Sequence, residues 1–237
     1  MFKVVALAAM LMAGAAAGPA LLPASPAQPR EVLKWSAKID VPGGSGSGTV
    51  IGNVRFSIAG KPQTFSLVLT CAHVVTQDFQ KPVWRHPKVD YLGHTYRGTV
   101  VATDAKLDLS LIMVRQHWGP APLYWGHVIP GDPELISGAP MGTNIALTQG
   151  AVVGKVPHSV HGLSGWQGSA PAYPGNSGGG AYVYRGGWRL AGVLQAVLGV
   201  HSGPHAPTQL FPDISYFIPM TVVRKFLAEN RFVGLKS

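Results

Sequence analysis

The stretch PAYPGNSGGGAY, residues 171–182, decides how the rest of the chain is read. Its centre, GNSGG, fits the G-x-S-x-G pattern of a serine nucleophile on a strained turn, which more than one hydrolase scaffold uses. A chain with 30 glycines also makes glycine-rich turns that carry no chemistry. Ser177 therefore counts as a nucleophile only if the chain supplies three further things. A base must take its proton, an acid must orient that base, and donors must face the developing oxyanion.

Chain order separates the scaffolds that could supply them. In an α/β-hydrolase the serine comes first, then the acid, then the histidine. Here Asp213 and Glu229 are the only acids after Ser177, and no histidine follows either. The following residues, GGGAYVYRGGW, also make a poor helix start, so that scaffold is rejected. The subtilisin order of acid, histidine, serine is met formally by Asp40, His73 and Ser177, but the long helical segments of an α/β fold are missing. The order histidine, acid, serine remains. His73 ends the strand-like run LTCAHVV, and Asp108 opens the apolar run LDLSLIMV. A carboxylate at the mouth of a buried strand needs hydrogen-bond donors, and a histidine N–H is a natural one. Asp104 competes for the acid role but stands further from the apolar run, where capping a turn suits it better. Gly175, two residues before Ser177, lacks the side chain that would stop its N–H turning toward an oxyanion.

Composition agrees with a strand-rich enzyme. Hydrophobic residues make up 46% of the 237 and charged residues 12%, the opposite of a disordered chain. Short apolar runs broken by Gly, Pro and Asn predict an all-β fold. The net charge of +9 is spread along the chain without a basic run or aromatic interleaving, so no nucleic-acid site is expected. The nine histidines form no HExxH helix and no Cys/His cluster, so neither metal nor cofactor is expected. Cys71 is the only cysteine, which rules out an internal disulfide. Its place in SLVLTCAHVV suits a small buried thiol, with a cysteine nucleophile as the sharper alternative.

Residues 1–27 read as a secretory leader: a lysine, an apolar stretch from Val4 to about Ala17, then small residues and prolines. A secreted or periplasmic location follows, with membrane contact only if the leader is retained as an anchor. Residues 28–45 read as a linker and N-terminal segment in which Glu31–Asp40 fits either a strand or a short helix. Residues 46–237 form the main domain. A first lobe runs to about residue 119, and the Pro-rich passage GPAPLYWGHVIPGDP crosses to a second lobe at about 120–219. A helix follows at about 219–230, with Val222, Val223, Phe226 and Leu227 on one face.

Taken together, LTCAHVV, DLSLI and PGNSGG resemble the T-A-A-H, D-[IL]-[AS]-L-[IL] and G-[DN]-S-G-G elements of chymotrypsin-like (trypsin-fold) serine endopeptidases. GSGTVI, TDAKLDLSLI, GAPMG before TQGAVVGKV, and YFIPMTVV narrow the likeness to HtrA-type bacterial peptidases, over about Gly46 to Phe226. The chain ends soon after its last helix, so no PDZ domain is expected. The resemblance implies two six-stranded β-barrels with a C-terminal helix, and peptide-bond hydrolysis through an acyl-enzyme. It makes His73 the general base, Asp108 its orienter and Ser177 the nucleophile, with the Gly175 and Ser177 amides as the oxyanion hole. It places the primary pocket between Pro171, Ala172 and Tyr173 on one side and Gln195, Ala196 and Val197 on the other. No acid stands there, and Leu194 replaces the histidine expected of glutamate-specific relatives, so aliphatic side chains are favoured. His201 and His205 are loop residues that could approach the pocket. Asn176 cannot form the ion pair of trypsin-style zymogen activation, so no such step is expected. Protein or peptide substrates are implied as partners. A viral or phage processing protease of the same fold and a catalytically silent binding module are the alternatives.

Overall fold

The computed structural model of the chain describes residues 29–76, 83–156, 165–201, 208–232 and 235. Strands β1 (Ser36–Val41), β2 (Gly44–Ile58), β3 (Lys61–Thr70), β4 (Lys88–Tyr91), β5 (His94–Asp104) and β6 (Leu109–Val114) close a first barrel in the order β1-β2-β3-β6-β5-β4. Strands β7 (Pro133–Gly138), β8 (Ala146–Val156), β9 (Gly165–Gly168), β10 (Gly180–Tyr184), β11 (Trp188–His201) and β12 (Thr208–Pro219) close a second in the order β10-β11-β12-β9-β8-β7. All pairings between these strands are antiparallel, with β1–β4 and β7–β10 as the closing seams. Helix α2 (Met220–Glu229) follows, and the fold is the all-β, two-barrel architecture with a C-terminal helix expected from the sequence.

The sequence accounts for the curvature. Closing a small barrel requires strands to bend, and β-bulges supply the bends. They fall between Val50 and Gly52 in β2 and between Val100 and Ala102 in β5, with others in the second barrel. Gly48 lets the first barrel close on its core: a Cβ there would lie 2.6 Å from Val68 Cγ1 and 2.8 Å from Ile39 Cδ1. The ambiguous stretch Glu31–Asp40 divides between a 3₁₀ helix (Pro29–Trp35) and β1, so the first barrel starts with Ser36. The leader and His205 lie outside the described residues.

One large core joins the lobes. It includes Ile39, Leu67, Leu69, Leu109 and Leu111 from the first barrel and Leu135, Tyr182, Trp188 and Leu190 from the second. On α2, Met220, Val223, Phe226 and Leu227 are buried against it, and Val222 packs at its edge. The Pro-rich passage bonds to both barrels. The Ala121 amide donates to Val50 O in the first barrel, while the Tyr124 amide donates to Leu190 O in the second. Its far end is tied by the buried Asp132, which accepts the Ile129 amide and the Arg185 guanidinium.

Candidate active site

Strand register brings His73 and Asp108 together. β3 and β6 pair antiparallel with Thr70 opposite Ser110, so the residues just after Thr70 face those just before Ser110. Past Thr70 the chain turns into the single helical turn α1 (Ala72–Val75), which carries His73 at the barrel rim. Asp108 precedes β6 with a left-handed backbone, φ 52°, a conformation that aspartate tolerates better than most residues. Its side chain is 0% exposed, and a buried carboxylate needs donors. The His73 backbone amide donates to Oδ1 at 3.0 Å, and His73 Nδ1 lies 2.9 Å from Oδ2. A carboxylate only accepts, so Nδ1 carries the proton and Nε2 keeps its lone pair. The His73 side chain is 27% exposed.

Gln195 supplies a third donor, which sequence reasoning missed. Its Nε2 lies 3.1 Å from Asp108 Oδ2, with the amide nitrogen facing the carboxylate as charge requires. Gln195 is 2% exposed: its side chain turns inward to Asp108, while its carbonyl oxygen accepts Ser177 Oγ. Cys71 belongs to the same cluster: its Sγ donates to Leu194 O at 3.3 Å and is fully buried. Burial pushes the thiol well above the usual cysteine range, and the Asp108 charge pushes it further. A protonated, enclosed thiol is no nucleophile, so that alternative falls. Cys71, His73 and Asp108 bring three possible metal-ligand atoms within 4.8 Å of one another. The His73–Asp108 hydrogen bonds join two of the three.

Ser177 lies on the turn before β10, docked on β11 by the bonds Gly178 N–H to Leu194 O and Leu194 N–H to Gly179 O, both 2.8 Å. Its Oγ donates to Gln195 O at 3.2 Å. The glycines around it are required. Gly178 has φ 85°, and a Cβ there would lie 2.2 Å from Ser47 O. Gly175 has φ 96°, and a Cβ would lie 2.4 Å from Ala139 O. Pro174 O accepts the Met141 amide at 2.6 Å. A trans peptide points its C=O and N–H in opposite directions, so this bond turns the Gly175 N–H away from the Met141 turn. Among the described residues, neither the Gly175 nor the Ser177 amide donates to a protein acceptor. Asp104 accepts the Lys106 and Leu107 amides at 2.8 and 3.0 Å, the turn-capping role expected of it.

Beside this turn, Ala172 is buried in one apolar cluster with Ile136, Ala170 and Leu194, and Val197 packs against it. The Ala172 amide donates to Pro212 O on β12, which joins the Pro171–Tyr173 wall to the β11–β12 hairpin. Ala196 is half-buried, and Tyr173 is 44% exposed at the rim.

Beneath this wall lies a group with no counterpart in the sequence reading. Glu134 on β7 is fully buried, and its Oε2 accepts the Ala170 amide at 3.1 Å. Its Oε1 has no partner among the described residues. Burial pushes the carboxyl from its ordinary 4.5 to about 7, against the opposing pull of the Ala170 and Ser169 amides. The folded protein therefore holds a proton that the unfolded chain releases between pH 4.5 and 7. Stability from this group is fully present below pH 4.5 and is lost as pH rises through about 7, by roughly 3 kcal/mol in total. Thermal unfolding followed from pH 5 to 8 is expected to show this decline, and Glu134→Gln to flatten it. A Glu134→Gln protein with an unchanged slope would show that Glu134 is not the source.

These features define a serine peptidase of the trypsin-like class. The family model described as trypsin-like peptidase domain matches residues 46–193, and the chain belongs to that family. Among solved structures, the fold matches an HtrA-type protease, an AlgW variant with a tripeptide, at TM-score 0.68 and 19% identity, covering 86% of this chain and 63% of that one. It matches the serine endoprotease from Yersinia pestis at TM-score 0.65 and 19% identity, covering 90% and 69%. It also matches an inactive form of the Rv3671c protease of M. tuberculosis H37Rv at TM-score 0.62 and 19% identity, covering 84% and 90%. No curated protein matches the sequence.

Proposed function

We propose that the chain is a serine endopeptidase that hydrolyses peptide bonds through an acyl-enzyme on Ser177. The observation that best supports this reading is the buried Asp108, which accepts His73 Nδ1 and fixes the imidazole ring. His73 Nε2 takes the Ser177 proton as Oγ leaves its bond to Gln195 O and attacks the scissile carbonyl. The charge that develops on the carbonyl oxygen falls to the Gly175 and Ser177 amides, and His73 then returns the proton to the leaving amine. Water repeats the sequence to release the acyl group. Gln195 supports the step by donating to Asp108 Oδ2 and holding the carboxylate in place.

The substrate side chain before the cut is received by the apolar space of Pro171, Ala172, Tyr173, Ala196 and Val197. Alanine and valine walls without a counter-charge favour small or medium aliphatic residues, since an unpaired Lys or Arg head buried there would be costly. Cleavage of a peptide library followed by mass spectrometry is expected to give cuts mainly after such residues. A library cut mainly after Lys or Arg would overturn the pocket assignment, and an uncut library would overturn the function. We propose export through the N-terminal leader on the sequence reading alone.

A further inference from the structure

Ser47 touches nothing that reacts, yet every polar group it has is directed at the catalytic turn or its supports. It lies on β2 of the first barrel and is fully buried. Its Oγ donates to Gly175 O at 2.7 Å and accepts the Ala139 amide at 2.8 Å. Its own amide donates to Ser177 O at 2.8 Å, and its carbonyl accepts Thr70 Oγ1 at 2.7 Å. One residue of the lobe that carries His73 and Asp108 thus grips the carbonyls of both Gly175 and Ser177 in the other lobe.

The consequence follows from peptide geometry. Gly175 lies between two peptide planes, and the direction of its N–H depends on both. The plane before it is held by the Met141 amide on Pro174 O. The plane after it is held by the Ser47 hydroxyl on Gly175 O. Ala139, two residues before Met141, is held by the same hydroxyl, so the two restraints form one closed ring of Ser47, Ala139, Met141, Pro174 and Gly175. A glycine at φ 96° has no side chain to resist rotation, so these bonds are what fix it. Resting on the acyl-enzyme reading above, we propose that Ser47 is a positioning residue that orients the Gly175 amide for the oxyanion and makes that orientation depend on the docking of the two lobes.

Removing the hydroxyl should leave substrate binding intact and weaken stabilisation of the tetrahedral intermediate. Ser47→Ala is expected to lower kcat by about 10²-fold, toward the loss of one oxyanion donor, with KM within about threefold of wild type. Affinity for a peptidyl aldehyde carrying the preferred residue should fall by a similar factor, while the pH profile of kcat/KM stays in place. Ser47→Cys, a weaker donor at the same position, should fall between the two. Ser36 provides the control: it is also a buried serine, but its Oγ bonds across the lobes to Ser137 Oγ and not to Gly175 or Ser177. Ser36→Ala should lower the melting temperature and leave kcat and aldehyde affinity unchanged.

The proposal is overturned if Ser47→Ala, or Ser47→Cys should the alanine variant not fold, keeps wild-type kcat and aldehyde affinity. It is equally overturned if the losses match those of Ser36→Ala and track thermal stability alone. A wild-type protein with no peptidase activity would instead refute the endopeptidase reading itself.

Discussion

Ser177→Ala is expected to lower kcat by about 10⁶-fold while leaving the fold intact. The substitution removes only Oγ, whose bond to Gln195 O at 3.2 Å is long and exchangeable. The backbone bonds that dock the turn are unaffected: Ser47 N–H to Ser177 O, Gly178 N–H to Leu194 O and Leu194 N–H to Gly179 O. Thermal unfolding should therefore match wild type within a degree or two. Residual activity above the uncatalysed rate should persist, because the Gly175 and Ser177 amides still meet the carbonyl oxygen. Adding His73→Ala to Ser177→Ala should cost little more, since the base has no proton left to take. A Ser177→Ala protein within tenfold of wild type would place the nucleophile elsewhere.

The second large effect is expected from Asp108→Asn, at about 10⁴-fold in kcat. Asparagine is nearly isosteric and tolerates the left-handed backbone that Asp108 adopts at φ 52°, so the β6 entry should hold. The chemistry changes instead. Three donors converge on the carboxylate, from the His73 backbone, His73 Nδ1 and Gln195 Nε2. An amide has one acceptor oxygen, and its NH₂ can face His73 only if Nδ1 is the unprotonated nitrogen. That tautomer puts the proton on Nε2, where it cannot accept one from Ser177. The loss should fall on kcat with little change in KM. A loss below about tenfold would show that Asp108 does not set the tautomer.

The candidate triad was the most legible part of the sequence, for a physical reason. His73, Asp108 and Ser177 are chemically distinctive, so chain order could discard the α/β-hydrolase scaffold and the missing helical segments the subtilisin one. The two barrels were legible as texture, in short apolar runs and glycine-rich turns, while the bulges that shape them were not. What supports the site was largely hidden. The resemblance offered Gln195 only as a pocket residue, and nothing local shows that its amide reaches Asp108, 87 residues away. Ser47 sits among small residues in GSGSGTVI, and nothing local reveals that its hydroxyl is shared between Gly175 and Ala139, 128 and 92 residues away. Glu134 precedes the apolar LIS of β7 and looks like an ordinary strand-edge acid, but in the barrel it is buried beneath Ala170. Asp104 was legible because its partners, Lys106 and Leu107, are local.

The central claim is that Ser177 is a nucleophile activated by its surroundings. Labelling the whole chain with a fluorophosphonate, followed by peptide mass spectrometry, tests it most directly. The activated serine should form the adduct on the peptide containing Ser177, and Ser177→Ala should take none. A folded wild-type protein that stays unlabelled, or one labelled equally well after Ser177→Ala, would contradict the account.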